Sequence, residues 1–238
     1  MKIELDPHCH TIMSGHAFGT VIENAAEAER KGLRLIAVTD HAPKMPGSAQ
    51  TIYFQNLRAL PRFIGSVEIF SGSELNIFDK DGSVDLPQDL ISQLDVNIAS
   101  LHPPCYPPST TDEHTGAVMR AMENPYIDII GHFGDPRYPI DIETVVKKAL
   151  ETGTMIELNN ASLNPKGFRA GGEGVILELI KTCVKFGVMV VISSDAHFSS
   201  SVGDMAFALK LAAEAGLPEN LTANSSVGLF KSLLKKRG

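Results

Sequence analysis

Residues 188–197 read VMVVISSDAH: an unbroken apolar run, two serines, and then the alternating pair Asp195 and His197. Apolar runs of this length are typical of strands that are buried on both faces of a parallel sheet. In an extended chain, residues two apart point to the same side, so the Asp195 and His197 side chains point together. The stretch therefore predicts a buried parallel strand with two metal-binding side chains at its carboxyl end.

Similar short apolar runs alternate with helical patterns along the whole chain. The predicted strands cover residues 2–5, 33–39, 67–71, 96–101, 127–131, 155–159 and 188–193. The predicted helices cover residues 21–31, 110–122, 141–151, 173–186, 204–215 and 227–235. Seven strands in one such run, without a break in composition, favour a closed barrel over an open sheet. We therefore expect an α/β fold, a single-domain, TIM-barrel-like, distorted seven-stranded (β/α)7 barrel that forms one catalytic domain over residues 1–238.

The composition of the chain indicates which cellular compartment and which binding partners to expect. The chain has 238 residues and a net charge of −7, so no basic surface predicts binding to duplex nucleic acid. Its three cysteines form no C-x-x-C motif, which favours a reducing compartment. The first residues show no signal region, and no apolar run approaches the roughly 18 residues that span a bilayer. We expect a cytoplasmic protein that does not bind membranes, and the sequence leaves a homo-oligomer open.

Histidines and acids are concentrated where the predicted strands end. Seven of the eight histidines belong to this set, whose members are His8, His10, His16, His41, Glu74, His102, His132, Asp195 and His197. Barrel enzymes keep their active sites at the carboxyl ends of the strands, where residues distant in sequence meet around one axis. His114 lies in a predicted helix, away from the strand ends, and we expect it on the surface.

Nine imidazole and carboxylate groups exceed the needs of one ion, because catalytic zinc takes about three protein ligands. The set suits two or three ions. Imidazole-rich sites favour Zn²⁺, with Mn²⁺ or Fe²⁺ as alternatives, over Mg²⁺ or Ca²⁺. Neighbouring ions can share a hydroxide that attacks phosphorus, which predicts phosphoester hydrolysis. The chain has no G-x-S-x-G motif and no Walker loop, in agreement with this chemistry.

Three motifs resemble those of the PHP family, the metal-dependent phosphoesterases named after polymerases and histidinol phosphatase. They are Asp6-Pro7-His8-Cys9-His10, Thr39-Asp40-His41 and Ser194-Asp195-Ala196-His197. Within the family, the chain is most similar to the YcdX-type phosphatases. The stretches that carry this closer similarity are Gly72-Ser73-Glu74-Leu75-Asn76-Ile77, Gly131-His132-Phe133-Gly134-Asp135-Pro136 and Ile156-Glu157-Leu158-Asn159-Asn160. The resemblance covers the chain from Asp6 to the final predicted helix.

The resemblance implies a trinuclear zinc-type site in a distorted (β/α)7 barrel. The implied ligands are His8, His10, Glu74 and Asp195 for one metal, His16, His41 and His197 for a second, and Glu74, His102 and His132 for a third. Glu74 would bridge two ions, and a metal-bound hydroxide would hydrolyse a small phosphomonoester. Phe133 and Pro103 depart from the family pattern beside two ligands, which bears on substrate preference.

Other polar residues beside the ligands have candidate roles. His16 and Asp195 are also the candidate catalytic residues. His16 or a bound water could protonate the leaving alkoxide. His16 could instead contact the substrate. Asp6 and Asp40 are adjacent to ligands and could accept hydrogen bonds from their imidazoles, or could cap a turn.

Two arginines are candidates for binding the phosphate of the substrate. Arg137 and Arg169 lie in the loops after the fifth and sixth predicted strands. A guanidinium group matches a phosphate as a planar fork of donors. The alternative for each is a solvated loop arginine without a ligand.

Three other functions are weighed against the phosphatase. A phosphodiesterase or nuclease acting on nucleotides or short single-stranded nucleic acid needs a basic groove with stacking aromatics, whereas this chain is acidic and has no Trp. A non-enzymatic metal-binding protein would be expected to lack ligands, and none is missing. A barrel hydrolase of C–N or C–O bonds often carries a bridging carbamylated lysine, but no lysine lies between Lys80 and Lys147.

Overall fold

Seven parallel strands follow one another in chain order around a single sheet. In a computed structural model, which describes residues 1–235, the parallel strands are β1 (Leu5–Cys9), β2 (Leu35–Val38), β3 (Val67–Ile77), β4 (Val96–Leu101), β5 (Ile129–Ile130), β6 (Met155–Asn159) and β7 (Val190–Ser193). A further two-residue strand, Phe63–Ile64, pairs antiparallel with β3. The end of β1 also pairs with the segment after β7. Cys9 and Ala196 form a parallel bridge, and the backbone N–H of His10 donates to the Ala196 carbonyl at 2.9 Å. The sheet is therefore a nearly closed barrel, and the predicted (β/α)7 fold is confirmed.

The described residues form eight α-helices, and capping side chains or glycines set the ends of several of them. They are α1 (Val21–Arg30), α2 (Thr51–Asn56), α3 (Gln88–Ile91), α4 (Thr111–Met122), α5 (Ile142–Thr152), α6 (Glu173–Phe186), α7 (Ala206–Ala215) and α8 (Val227–Leu233). Asp141 caps α5 by accepting the Thr144 N–H at 3.0 Å, and α6 ends at Gly187, where a φ of +75° favours glycine. Within residues 1–235, the helices are all too short or too polar to cross a bilayer.

The helix prediction is close in bounds but incomplete. Helix α6 has the predicted range, and the other five predicted helices differ at their ends by up to two residues. Helices α2 and α3 were not predicted, because six and four residues are too few to show a helical period. The last three residues of the predicted domain lie outside the described residues.

Several strands differ from their apolar runs where they meet the polar end of the barrel. β1 begins at Leu5 and contains His8, and β3 continues through Glu74 to Ile77. Both polar side chains are buried, because they point into a polar centre and not into solvent. β5 has only two residues, since the backbone leaves the sheet at His132, whose φ is +27°. The apolar pattern therefore locates every strand, but the predicted ends of β1 and β3 fall short of Cys9 and Ile77 and so leave out His8 and Glu74.

His114 contradicts its predicted surface position. Helix α4 buries the side chain completely, and its ring joins two loops. The Ser109 N–H donates to Nε2 at 2.8 Å, and Nδ1 donates to the Pro139 carbonyl at 3.1 Å. The prediction is wrong because the neighbouring Glu113 gives this part of the helix a solvated pattern, whereas His114 falls on the inward face with Val118.

The amino ends of the strands are closed by apolar side chains. Leu5 and Phe70 from the strands belong to one buried cluster with Phe230 of α8. The Asn224 amide donates to the Leu5 carbonyl at 3.1 Å and to the Ile192 carbonyl at 2.7 Å, which fastens the segment before α8 to β1 and β7. The carboxyl ends of the strands form the opposite mouth of the barrel, where the histidines and acids lie.

Candidate metal centre

The nine predicted metal ligands meet at the carboxyl ends of the strands. Two lie within strands, His8 in β1 and Glu74 in β3. The other seven follow β1, β2, β4, β5 and β7 and are His10, His16, His41, His102, His132, Asp195 and His197. All except His16 and His197 are buried. The fold thus brings all nine side chains to one mouth of the barrel.

Glu74 lies at the middle of this centre. Three ring nitrogens lie within 3.4 Å of its Oε2 atom: His41 Nδ1 (2.8 Å), His8 Nε2 (3.3 Å) and His10 Nε2 (3.4 Å). Its Oε1 atom is 2.8 Å from His132 Nε2 and 3.2 Å from His102 Nε2. One carboxylate therefore faces five imidazoles with its two oxygens.

Asp195 and two outer histidines extend the centre toward solvent. Asp195 Oδ1 lies 3.1 Å from His10 Nε2. The Nε2 atoms of His16 and His197 are 3.1 Å apart, and the centroid of the His16 ring is 4.9 Å from that of His41. The contacts thus form an inner cluster around Glu74 and an outer cluster of His16, His41 and His197.

Several buried atoms of the centre need a cation to be satisfied. His41 Nδ1, Glu74 Oε2 and Asp195 Oδ1 have no hydrogen-bond partner within residues 1–235. Buried polar atoms are normally paired or bound to a metal. Three overlapping trios have ligand atoms within 4.8 Å of one another: His10, His41 and His197; His8, His10 and Glu74; His41, Glu74 and His102. Imidazole nitrogens with a few carboxylate oxygens fit divalent transition-metal ions.

The electrostatics favour the cation-binding form at three of the ligands, His10, His16 and Glu74. Partial desolvation, together with the neighbouring His41 and His197, lowers the pKa of His16 to about 4. Burial and the same two histidines lower the pKa of His10 well below its usual value. Burial opposes ionisation of Glu74, but the surrounding histidines bring its pKa well below its usual value. Neutral imidazoles and an ionised carboxylate are the metal-binding forms, and a neutral His16 is better suited to hold a cation than to donate a proton.

Glu157, in β6, orients two of the histidines, and the sequence reasoning gave it no role. The His8 ring donates from Nδ1 to Glu157 Oε1 at 2.6 Å, and the backbone N–H of His132 donates to Oε2 at 2.5 Å. Because the hydrogen bond to Glu157 occupies His8 Nδ1, Nε2 is the ring nitrogen that faces Glu74 and is placed to bind a cation. The signal that could have found Glu157 is an acid in the middle of the fully buried strand Met155–Asn159.

Asn76 and Asp6 have different supporting roles. His102 Nδ1 donates to Asn76 Oδ1 at 2.8 Å, and the Asn76 amide donates to Asp85 at 2.7 Å. Asp6 accepts the Ser194 hydroxyl at 2.5 Å and the Ser194 N–H at 3.1 Å, and it makes no hydrogen bond to an imidazole within residues 1–235. Asp6 therefore joins β1 to the end of β7 and does not orient a ring.

Two ligands have strained backbone conformations. Among residues 1–235, the non-glycine residues with positive φ are His132 (+27°) and Asp195 (+54°). Such conformations cost on the order of 1–3 kcal/mol and persist where surrounding contacts impose them. Glu157 holds the His132 N–H, and the Asp195 carbonyl lies 3.0 Å from His197 Nδ1. The strain coincides with the centre, as expected of a functional site.

The two candidate arginines have different surroundings. Arg169 Nη1 lies 3.0 Å from Asp195 Oδ2 and 3.3 Å from Ser162 Oγ, so its guanidinium group borders the centre. Arg137 contacts Asp135 through Nη2 at 2.6 Å and Nε at 2.9 Å. Of the two arginines, Arg169 is the one that contacts a predicted ligand.

A barrel that gathers imidazoles and carboxylates at the carboxyl ends of its strands defines a metal-dependent hydrolase. No protein-family model matches the chain. A probable phosphatase of Thermoanaerobacter sp. (strain X514) is 49% identical over 238 residues, which cover 100% of this chain and 96% of the relative. A probable phosphatase of Caldicellulosiruptor saccharolyticus is 45% identical over 238 residues, 100% of this chain and 98% of the relative.

A solved structure shares the fold. Histidinol phosphate phosphatase from Lactococcus lactis subsp. lactis Il1403, complexed with zinc, L-histidinol and phosphate, superposes with a TM-score of 0.67 at 20% identity over 92% of this chain and 95% of that chain. The chain belongs to the PHP family of metal-dependent phosphoesterases, and it is a phosphatase. Its narrower similarity to the YcdX-type phosphatases stays a prediction.

Proposed function

We propose that the protein hydrolyses small phosphomonoesters at a centre of up to three divalent cations, with Zn²⁺ as the first candidate and Mn²⁺ or Fe²⁺ as alternatives. The position of Glu74 carries this proposal. Its two oxygens face five imidazoles, and Oε2 has no hydrogen-bond partner in the described part of the chain. Two cations that share a ligand can hold both the attacking and the leaving oxygen of a phosphoester.

The contacts support three groups of ligands. We assign His8, His10, Glu74 and Asp195 to one ion, His16, His41 and His197 to a second, and Glu74, His102 and His132 to a third. When bound, such cations lower the pKa of water and neutralise charge on phosphoryl oxygens. The imidazoles outnumber the carboxylates, which favours transition metals over Mg²⁺ or Ca²⁺.

The chain's own residues would position the substrate. Arg169 is the residue that we assign to the phosphate, because a guanidinium group can donate two parallel N–H bonds to phosphate oxygens. Asp195 holds Arg169 with Oδ2 and turns Oδ1 toward His10. Since His16 is neutral near pH 7, a water molecule is the better proton donor to the leaving alkoxide.

The test is hydrolysis of an aryl phosphate by protein stripped with a chelator and then reloaded with Zn²⁺ or Mn²⁺. We expect turnover only after metal is restored. Glu74→Gln, purified in parallel, should lack this turnover, which excludes a contaminating phosphatase. If neither metal restores hydrolysis of any phosphoester, the proposal is wrong.

A second assay separates phosphomonoesters from the phosphodiester alternative. A net charge of −7 and the absence of tryptophan disfavour a groove for single-stranded nucleic acid. We expect release of inorganic phosphate from a mononucleotide to exceed cleavage of a single-stranded oligonucleotide at equal nucleotide concentration. Cleavage at internal phosphodiester bonds would favour a nuclease instead.

A further inference from the structure

The loop after β1 places a buried serine next to one of the ligands. Ser14 is fully buried, and its Oγ atom has three polar neighbours: His10 Nδ1 at 2.9 Å, the His41 backbone nitrogen at 3.1 Å and Asp40 Oδ1 at 2.6 Å. A serine hydroxyl has one proton to donate and two lone pairs that accept. The three contacts therefore use the whole hydrogen-bonding capacity of Ser14, and one partner alone can receive its proton.

Asp40 is that partner. A carboxylate only accepts, and Asp40 accepts the Thr11 N–H at 2.7 Å and the Thr11 hydroxyl at 2.8 Å in addition to Ser14. The Tyr53 hydroxyl donates to the same carboxylate at 2.6 Å. Burial and the charge of Asp40 raise the pKa of Tyr53, so this hydroxyl keeps its proton. With four donors directed at Asp40, the hydroxyl of Ser14 is fixed as a donor to it.

The lone pairs of Ser14 must then accept the His41 N–H and a proton on His10 Nδ1. We propose that Ser14, held by Asp40, is a positioning residue that fixes His10 in the tautomer with its proton on Nδ1. This inference rests on the proposed function. In that tautomer, His10 Nε2 and Asp195 Oδ1 face each other at 3.1 Å without a proton between them, as two ligands of one cation do.

Tyr53 extends this arrangement to the surface of the barrel. It belongs to α2, and its side chain is only partly buried. Its hydrogen bond to Asp40 therefore connects the loop and helix after β2 to His10 through two intermediates, Asp40 and Ser14. Tyr53 is thus a second, weaker positioning residue for the same imidazole.

The experiment compares wild type with Ser14→Ala by two readouts other than turnover. Long-range ¹H–¹⁵N spectra of Zn²⁺-loaded protein report which ring nitrogen of His10 carries the proton, and competition with a chromophoric chelator gives the Zn²⁺ affinity. We expect Ser14→Ala to lose the protected Nδ1–H signal and about 10–100-fold in affinity, the usual effect of removing an outer-shell partner. Ser14→Thr, which keeps the hydroxyl, should restore both.

Ser71→Ala is the matched control. It removes a serine hydroxyl that donates to a carboxylate, Asp95, at 3.0 Å, away from the histidines. We expect wild-type affinity and an unchanged His10 signal for this variant. The inference is overturned if Ser14→Ala also keeps both, whereas wild-type protein that binds neither Zn²⁺ nor Mn²⁺ would instead overturn the proposed function.

Tyr53→Phe covers the case in which Ser14→Ala does not fold. The partly buried ring stays in place, and only the hydroxyl that donates to Asp40 is lost. We expect Zn²⁺ affinity to fall about three- to tenfold. The effect should be smaller than that of Ser14→Ala, because the lost hydrogen bond acts on His10 only through Asp40 and Ser14. Affinity equal to wild type in a folded Tyr53→Phe protein would overturn the inference.

Discussion

Arg169 Nη1 lies 3.0 Å from Asp195 Oδ2, while the other oxygen of Asp195 faces His10 at 3.1 Å and has no hydrogen-bond partner in the described residues. The carboxylate thus divides its two oxygens between a guanidinium group and the metal centre. Because Arg169 comes from the loop after β6 and Asp195 from the end of β7, this pair also fixes the loop against the mouth of the barrel.

Arg169→Gln should reduce phosphatase activity without emptying the centre. A hydrogen bond to a charged group contributes about 1.5–3 kcal/mol, so we expect kcat/KM on an aryl phosphate to fall roughly 10–100-fold. Metal content, measured by plasma emission spectrometry, should stay at the wild-type value. Arg137→Gln is the matched control, because that side chain pairs with Asp135. A larger loss in Arg137→Gln would transfer the phosphate-binding role to Arg137.

Glu74→Gln should remove metal as well as activity. The substitution keeps the shape of the side chain but replaces one carboxylate oxygen, which faces ring nitrogens, by an NH2 group that cannot bind a cation. We expect at least one ion fewer per chain and activity at least about 100-fold lower. Glu68→Gln is a suitable control, since Glu68 pairs with Lys231 and Arg62 away from the centre. A full metal complement in Glu74→Gln would exclude a bridging role.

Glu157→Gln tests orientation apart from ligation. The amide oxygen can still accept a hydrogen bond from His8 Nδ1. The amide NH2 group would then face the backbone N–H of His132, which in the wild type donates to Glu157 Oε2 at 2.5 Å, so that two donors would meet. We expect Zn²⁺ affinity to fall about 10–100-fold and turnover to recover at high metal concentration. Glu4→Gln is the control, because Glu4 lies near the opposite end of the barrel and accepts the Val227 N–H. This substitution should leave the Zn²⁺ affinity unchanged. Failure to recover with excess metal would give Glu157 a role beyond orientation.

The sequence predicts the fold and the grouping of candidate ligands because both depend on local patterns. An apolar run predicts a strand, and a histidine or acid just after it predicts a residue at the barrel mouth. The supporting residues are harder to find. Ser14, Asn76 and Tyr53 gain their roles from loops that fold against distant strands, and a single sequence carries no period that marks them.

His114 shows the opposite error. Its environment depends on which face of α4 turns inward, and the exposed neighbour Glu113 obscures that face in the sequence. The buried acid Glu157 is an intermediate case. An ionisable residue inside an apolar strand is unusual, so the sequence does contain a signal, but its partners His8 and His132 are known only once the barrel closes.

Removal of metal should destabilise the protein. Glu74, Asp195 and Glu157 are three buried carboxylates around one centre, and without cations only the imidazoles and Arg169 are left to offset their charge. A ligand at 100 times its Kd stabilises the folded state by about 2.7 kcal/mol, and 1 kcal/mol shifts Tm by roughly 2–4 °C in a chain of this size. We therefore expect a chelator to lower Tm by about 5–10 °C in scanning calorimetry, and excess Zn²⁺ or Mn²⁺ to restore it. Because Ca²⁺ prefers oxygen ligands, the same concentration of Ca²⁺ should restore little. An unchanged Tm after complete metal removal would mean that the nine side chains hold no ion in the folded state.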